Sequence, residues 1–204
     1  MKVLILFAHP RPDRSEVNIP LMEAAQAVDG VSVVDLYAEY PSFEIDVDRE
    51  QQRLLEHDVI VFQHPLYWFS VPALLKEWFD LVLEHGWAYG QHGQALRGKI
   101  ALNAITAGAK RDAYGAQGRN GIELRALLLP VEKTAEHCHM RYLAPFALYG
   151  AGRMVEEGRL ESGTAAYSKL LSALVEERLD LDAAAQASSL SDELDRFILS
   201  AGDQ

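Results

Sequence analysis

One cysteine, Cys138, among 204 residues leaves no intrachain disulfide and no multi-cysteine metal site. Cations are scarce as well: 19 Lys and Arg stand against 30 Asp and Glu, for a net charge of −11. Nucleic-acid recognition and electrostatic anchoring on anionic lipid both need the opposite balance. An acidic surface mainly serves solubility. No apolar stretch is long enough to span a bilayer, so direct membrane insertion is not expected. The apolar run in MKVLILFAHP is too short for a secretion signal and carries no cleavage motif. Neither G-x-G-x-x-G nor G-x-x-x-x-G-K-[ST] stands after the first apolar run. Internal repeats and low-complexity linkers are missing too. The expectation is a soluble protein in a reducing, cytoplasmic setting.

What is present is a core. With 49% hydrophobic residues the chain can fill one large domain. Five apolar runs recur: Val3–Ala8, Val31–Leu36, Val59–Phe62, Ile100–Ile105 and Tyr142–Leu148. Three of them are almost continuously apolar, as strands covered on both faces are. Between them lie helical patterns over Ser15–Val28, Asp48–His57, Val71–His85 and Ile122–Cys138, the last interrupted by Pro130. Thr164–Ala185 reads as one long amphipathic helix and Ser191–Leu199 as a short one. This alternation predicts a doubly wound α/β domain with a five-stranded parallel sheet and helices on both faces. Partial alternation in the second run and Pro145 in the fifth place both at the edges, which favours the order 2-1-3-4-5. The domain is expected over residues 1–185, with a C-terminal extension at 186–204.

In such a sheet, ligands bind beyond the carboxyl ends of the strands. Three loops are therefore candidates. HPRPDRSEVN brings His9, Arg11, Arg14, Ser15 and Asn18 to the start of a helix. Free N–H groups there and nearby cations suit a phosphate; the same residues also suit a capped helix with solvated arginines. TAGAKRDAYGAQGRNG is long, and its small residues at Thr106–Ala109 allow close approach of a flat ligand. Between the two lies Leu66-Tyr67-Trp68-Phe69, three adjacent aromatics on a short loop. A cleft with a phosphate end, a close-backbone side and an aromatic wall would fit a flavin mononucleotide. Packing of one or two of these rings on a neighbouring helix or subunit is the competing reading.

Other residues read as structural. Cys138 suits a small buried hydrophobe, and His137 and His139 across a helix end do not point to a metal. Trp78 and Phe79 share helical spacing with Leu75 and Val82, as core residues do. Trp87 and Tyr89 are two large aromatics on one loop, which a monomer is expected to expose and a dimer to bury.

AHPRPDRSEVN, QHPLYWFSVPALLKEWFD and HGWAYG resemble the flavodoxin-like NAD(P)H:quinone oxidoreductases. The resemblance is strongest to the ancillary proteins of the glutathione-regulated potassium-efflux antiporters, and it runs over about residues 1–175. It implies bound FMN, with FAD as the alternative, NAD(P)H as co-substrate, and a quinone as acceptor in a ping-pong cycle. It implies a homodimer with sites at the interface and, as a second function, regulation of a membrane antiporter. The second function would bring the protein to the inner face of the membrane through its partner. Flavin-binding positions fall on His9, Ser15, Glu16, Val17, Asn18, Leu66, Tyr67, Trp68, Phe69, Thr106, Ala107, Gly108 and Ala109. Tyr114 matches a family tyrosine proposed to assist charge transfer, whereas Arg119-Asn120 stands where the family's histidine is expected. Trp87 and Tyr89 would line the partner's cleft. A one-electron carrier of the flavodoxin type is the remaining alternative.

Overall fold

The computed structural model describes residues 1–200. Its centre is set by strands whose side chains alternate between two apolar layers. In β1 (Val3–Phe7), Val3 and Ile5 enter one layer, and Leu4 and Leu6 enter the other. β3 (Val59–Pro65) and β4 (Ile100–Ala107) do the same and are buried along their whole length. β2 (Val31–Asp35) is only half-buried, as an edge strand is. The sheet is parallel in the order 2-1-3-4-5, as the sequence pattern predicts.

Helix α1 (Asn18–Gln26) packs on the first layer together with a long C-terminal helix. Helix α2 (Leu36–Glu39) is a single turn that the sequence pattern does not reveal. The Asp35 carboxylate caps it, accepting from the N–H groups of Tyr37 and Ala38 at 3.0 and 3.2 Å. Helices α3 (Val47–Glu56) and α4 (Ala73–Val82) cover the second layer. The cap of α3 is Asp46, whose carboxylate accepts from Arg49 N–H, and Pro72 directly precedes α4. The pattern over 122–138 is two helices, α5 (Leu124–Leu127) and α6 (Leu129–His137). The break falls at Leu128, with Pro130 in the first turn of α6.

The fifth strand is broken. β5 (Arg141–Tyr142) and β6 (Phe146–Tyr149) both pair with β4, and Leu143–Pro145 bulges between them. The expected helix over 164–185 is also two: α7 (Leu160–Val175) and α8 (Leu181–Gln186). Glu177 takes a left-handed φ of 58° after α7. Arg178 N–H then reaches back to Ala173 O at 2.8 Å and closes the helix end without a glycine. Beyond α8, among the described residues, only Leu194–Phe197 forms a helical turn.

Candidate active site

Asn18 opens α1, and no side chain caps that helix at Val17. Ser15 Oγ accepts the Asn18 N–H at 3.0 Å, so Ser15 closes the approach turn. The Asn18 side chain is buried, and its amide N–H donates to Thr106 Oγ1 at 2.6 Å. Its backbone carbonyl accepts from Gln63 Nε2 at 3.0 Å, and Gln63 Oε1 accepts from Tyr167 OH at 3.1 Å. One buried chain of hydrogen bonds thus fixes the start of α1 and the ends of β3 and β4 relative to α7.

Asn18 Oδ1 is left over: among the described residues it is the buried side-chain polar atom without a partner. Such an atom costs free energy unless a ligand or water meets it. It adjoins a cleft of about 290 Å³ lined by His9, Arg14, Ser15, Glu16, Val17, Asn18, Leu66, Tyr67, Thr106 and Gly108. Pro65 at the end of β3, and Ala151 and Gly152 from the turn after β6, complete it. A Cβ on Gly108 would meet no protein atom within 4 Å and would stand in open space at this wall.

His9 is buried. Its Nδ1 accepts from Arg11 N–H at 3.1 Å, and its ring meets Tyr67 edge-on at 5.8 Å. Desolvation holds its pKa below the ordinary value, against the weaker pull of Asp35 and Asp13. Of the two arginines in this loop, Arg14 lines the cleft and Arg11 turns to Asp13 at 2.8 Å.

Beneath the aromatic loop lies a second buried network. Tyr142 OH donates to Asn103 Oδ1 at 2.6 Å, and the Asn103 amide lies 2.8 Å from His64 Nε2. His64 Nδ1 lies 3.0 Å from Pro65 O. A neutral imidazole with its proton on Nδ1 satisfies every member. Burial pushes His64 down to about 4, which keeps it neutral.

The structure brings together nine of the thirteen predicted flavin-binding positions, with Arg14 beside them, and leaves out the rest. Trp68 and Phe69 do not line the cleft. They are the central residues of a turn closed by Ser70 N–H to Tyr67 O at 3.0 Å, with φ of 49° and 63°. Both values positive is the type I′ geometry that normally selects Asn-Gly. The turn holds Trp68 94% exposed. Ala107 is buried in a small core cluster, and Ala109 serves through its carbonyl, which accepts from Gly150 N–H at 2.9 Å.

Tyr114 does not reach the cleft either. Its ring tilts against Tyr149 at 5.6 Å, and burial raises its pKa. Trp87 and Tyr89 are not the exposed aromatics expected of them. Both are half-buried against the α3–α4 layer, because the loop folds back with Gly86 N–H on Tyr89 O at 2.8 Å. Tyr89 instead lines a groove of about 480 Å³ between α4 and α6.

Against this geometry, a family model described as the flavodoxin-like fold matches residues 1–171. The chain belongs to that family. It is 48% identical over 171 residues to KefG, the ancillary protein of a glutathione-regulated potassium-efflux system in Pectobacterium atrosepticum. That match covers 84% of this chain and 93% of the relative. General stress protein 14 of Treponema denticola, solved in complex with FMN, superposes with a TM-score of 0.80 at 39% identity. It covers 85% of this chain and 99% of its own. An NADPH-quinone reductase from P. pentosaceus superposes with a TM-score of 0.75 at 30% identity, over 83% of this chain and 96% of its own.

Sequence reasoning missed Gln63, His64, Asn103, Ala151 and Gly152. Asn103 was visible as a polar residue inside the apolar run Ile100–Ile105, and Gln63 and His64 as the polar pair that ends the run Val59–Phe62. Ala151 and Gly152 follow the fifth strand, where the same carboxyl-end rule applies.

Proposed function

We propose that this protein is a flavin-dependent NAD(P)H:quinone oxidoreductase that holds FMN in the cleft at the ends of β1, β3 and β4. The observation that carries the reading is the buried, unpartnered Asn18 Oδ1 at the start of α1, whose N-cap residue Val17 has no capping side chain. A ribityl hydroxyl would satisfy that oxygen. With the amide turned over, Thr106 would donate to Oδ1 and the NH₂ would face a phosphate. Either way the donor set fits a flavin mononucleotide. The FMN complex of the T. denticola relative supports FMN over FAD.

When bound, FMN supplies the hydride chemistry, accepting from the nicotinamide and donating to the acceptor. The chain positions and shields. Arg14, Ser15 and the N–H groups opening α1 would hold the phosphate end. Leu66 and Tyr67 would flank the ring and exclude water. Gly108 gives backbone approach without a side chain in the way. His9, held neutral, orders Tyr67 without adding charge. Successive substrates would share one pocket, which gives ping-pong kinetics.

Trp68 supports a homodimer. A tryptophan held almost fully exposed by a strained turn, next to an apolar groove, suits an isologous contact. Trp68 thereby takes the place at the interface that the sequence assigned to Trp87 and Tyr89.

A second role, as ancillary subunit of a potassium-efflux antiporter, rests on the 48% identity to KefG. Among the described residues no helix is long and apolar enough to cross a membrane, so contact with a bilayer would run through that partner. Steady-state oxidation of NADH and NADPH against a panel of quinones tests the main reading, with parallel initial-rate lines expected. Binding to a purified antiporter without quinone turnover would favour the second.

A further inference from the structure

The family match ends at residue 171, and the chain continues past it. The segment after α8 is tied to the strand edge and to one loop of the cleft. Leu190 N–H donates to Pro145 O at 2.9 Å, and Ser191 Oγ accepts Ala147 N–H at 3.0 Å. Leu190 and Leu194 are buried in the α1–α7 layer. The segment thereby covers the outer edge left open where β5 breaks from β6. The next residue, Asp192, pairs with Arg111, which opens the helical turn just after Gly108–Lys110. The Arg111 guanidinium also lies 5.9 Å from the Tyr149 ring centroid, and Tyr149 packs on Tyr114. Asp192 therefore holds Arg111, which joins the loop after β4 to the end of β6 beside the backbone bond from Gly150 N–H to Ala109 O.

We propose that residues 188–197 act as a brace for the cleft, in which Asp192, through Arg111, is a positioning residue that holds the loop after β4 in its flavin-receiving form. The brace itself is a property of the chain without ligand; its effect on binding rests on the FMN reading above. The brace explains why a segment outside the family match carries buried leucines and two serines directed at the strand edge. The loop after β4 closes its own turns through backbone bonds such as Gly115 N–H to Ile122 O at 2.8 Å and Asn120 N–H to Ala113 O at 2.9 Å, and Asp192 adds a side-chain contact from outside the loop.

The experiment uses the full chain in two states. Hydrogen exchange of the unliganded protein is compared for wild type, Asp192→Asn, Asp192→Glu and Asp195→Asn. Asp195 pairs with Lys169 at 2.5 Å, away from the loop, and serves as the control. Faster exchange over residues 108–118 in Asp192→Asn alone is expected, with Asp192→Glu near wild type and melting temperatures unchanged. FMN titration should then give a dissociation constant raised about two- to fivefold in Asp192→Asn, the range open to a half-exposed ion pair. The double exchange Arg111→Asp with Asp192→Arg should recover most of it. Unchanged exchange over 108–118 overturns the brace. Faster exchange with unchanged FMN affinity overturns the positioning role. If wild type itself does not bind FMN, the flavin reading fails, and the exchange data still decide the brace.

Discussion

The side-chain amide of Asn18 donates to Thr106 Oγ1 at 2.6 Å, joining the loop after β1 to the end of β4 across the cleft. One residue therefore sets the cleft width and offers its remaining amide atom to a ligand. Replacing it removes both. With the amide turned over so that its NH₂ faces the phosphate, Asn18→Ala should weaken FMN binding by about tenfold or more, the scale of a charge-assisted hydrogen bond. Riboflavin, which lacks the phosphate, should lose less. Fluorescence titration of both ligands checks this; equal losses would place the phosphate away from Asn18.

Trp68 and Phe69 carry backbone strain of roughly 1–3 kcal/mol each by virtue of their positive φ. Phe69→Gly should therefore raise stability in urea by up to about 1 kcal/mol, since glycine takes the left-handed conformation freely. A destabilised variant would show that the Phe69 ring contributes more than its backbone costs.

Trp68→Ala should leave FMN affinity of the subunit nearly unchanged, because the indole does not line the cleft. Association and quinone turnover should fall together. Light scattering with parallel rate measurements decides; a fully active monomer would remove Trp68 from the site.

His64 gives a pH signature. Its folded pKa, about 4, lies below the ordinary 6.5 because of desolvation. The folded state thus binds fewer protons than the unfolded one between these values. The His64 contribution is whole above pH 6.5 and is lost as pH falls towards 4, by roughly 3 kcal/mol in all. His64→Gln removes that contribution, so its stability should fall less steeply over the same window. Parallel curves for the two proteins would mean that His64 is not buried neutral.

The sheet order was legible because it rests on continuously apolar central runs and on edge signals at Val31–Asp35 and Pro145. Cleft residues in the first loop were legible because helix starts and strand ends fix where a ligand sits. What stayed hidden depends on tertiary closure. No local rule shows that Glu177 would end α7 without glycine, or that Pro145 would split the strand instead of merely marking its edge. Trp87 and Tyr89 look like exposed loop aromatics until Gly86 N–H meets Tyr89 O and folds them inward. Trp68 looks like a cleft wall until the φ values of its turn direct it outward. Tyr114 was assigned by matching position, whereas its partner is Tyr149, on a strand whose register the sequence leaves open.

The central claim is that three loop ends and one unpartnered Asn18 oxygen form an FMN site. Heating the purified protein and identifying the released chromophore, after reconstitution with an equimolar mixture of FMN and FAD, tests it most directly. The account predicts FMN at one per chain, with riboflavin unable to displace it. A colourless protein that releases neither flavin, or one that retains FAD instead, would contradict it.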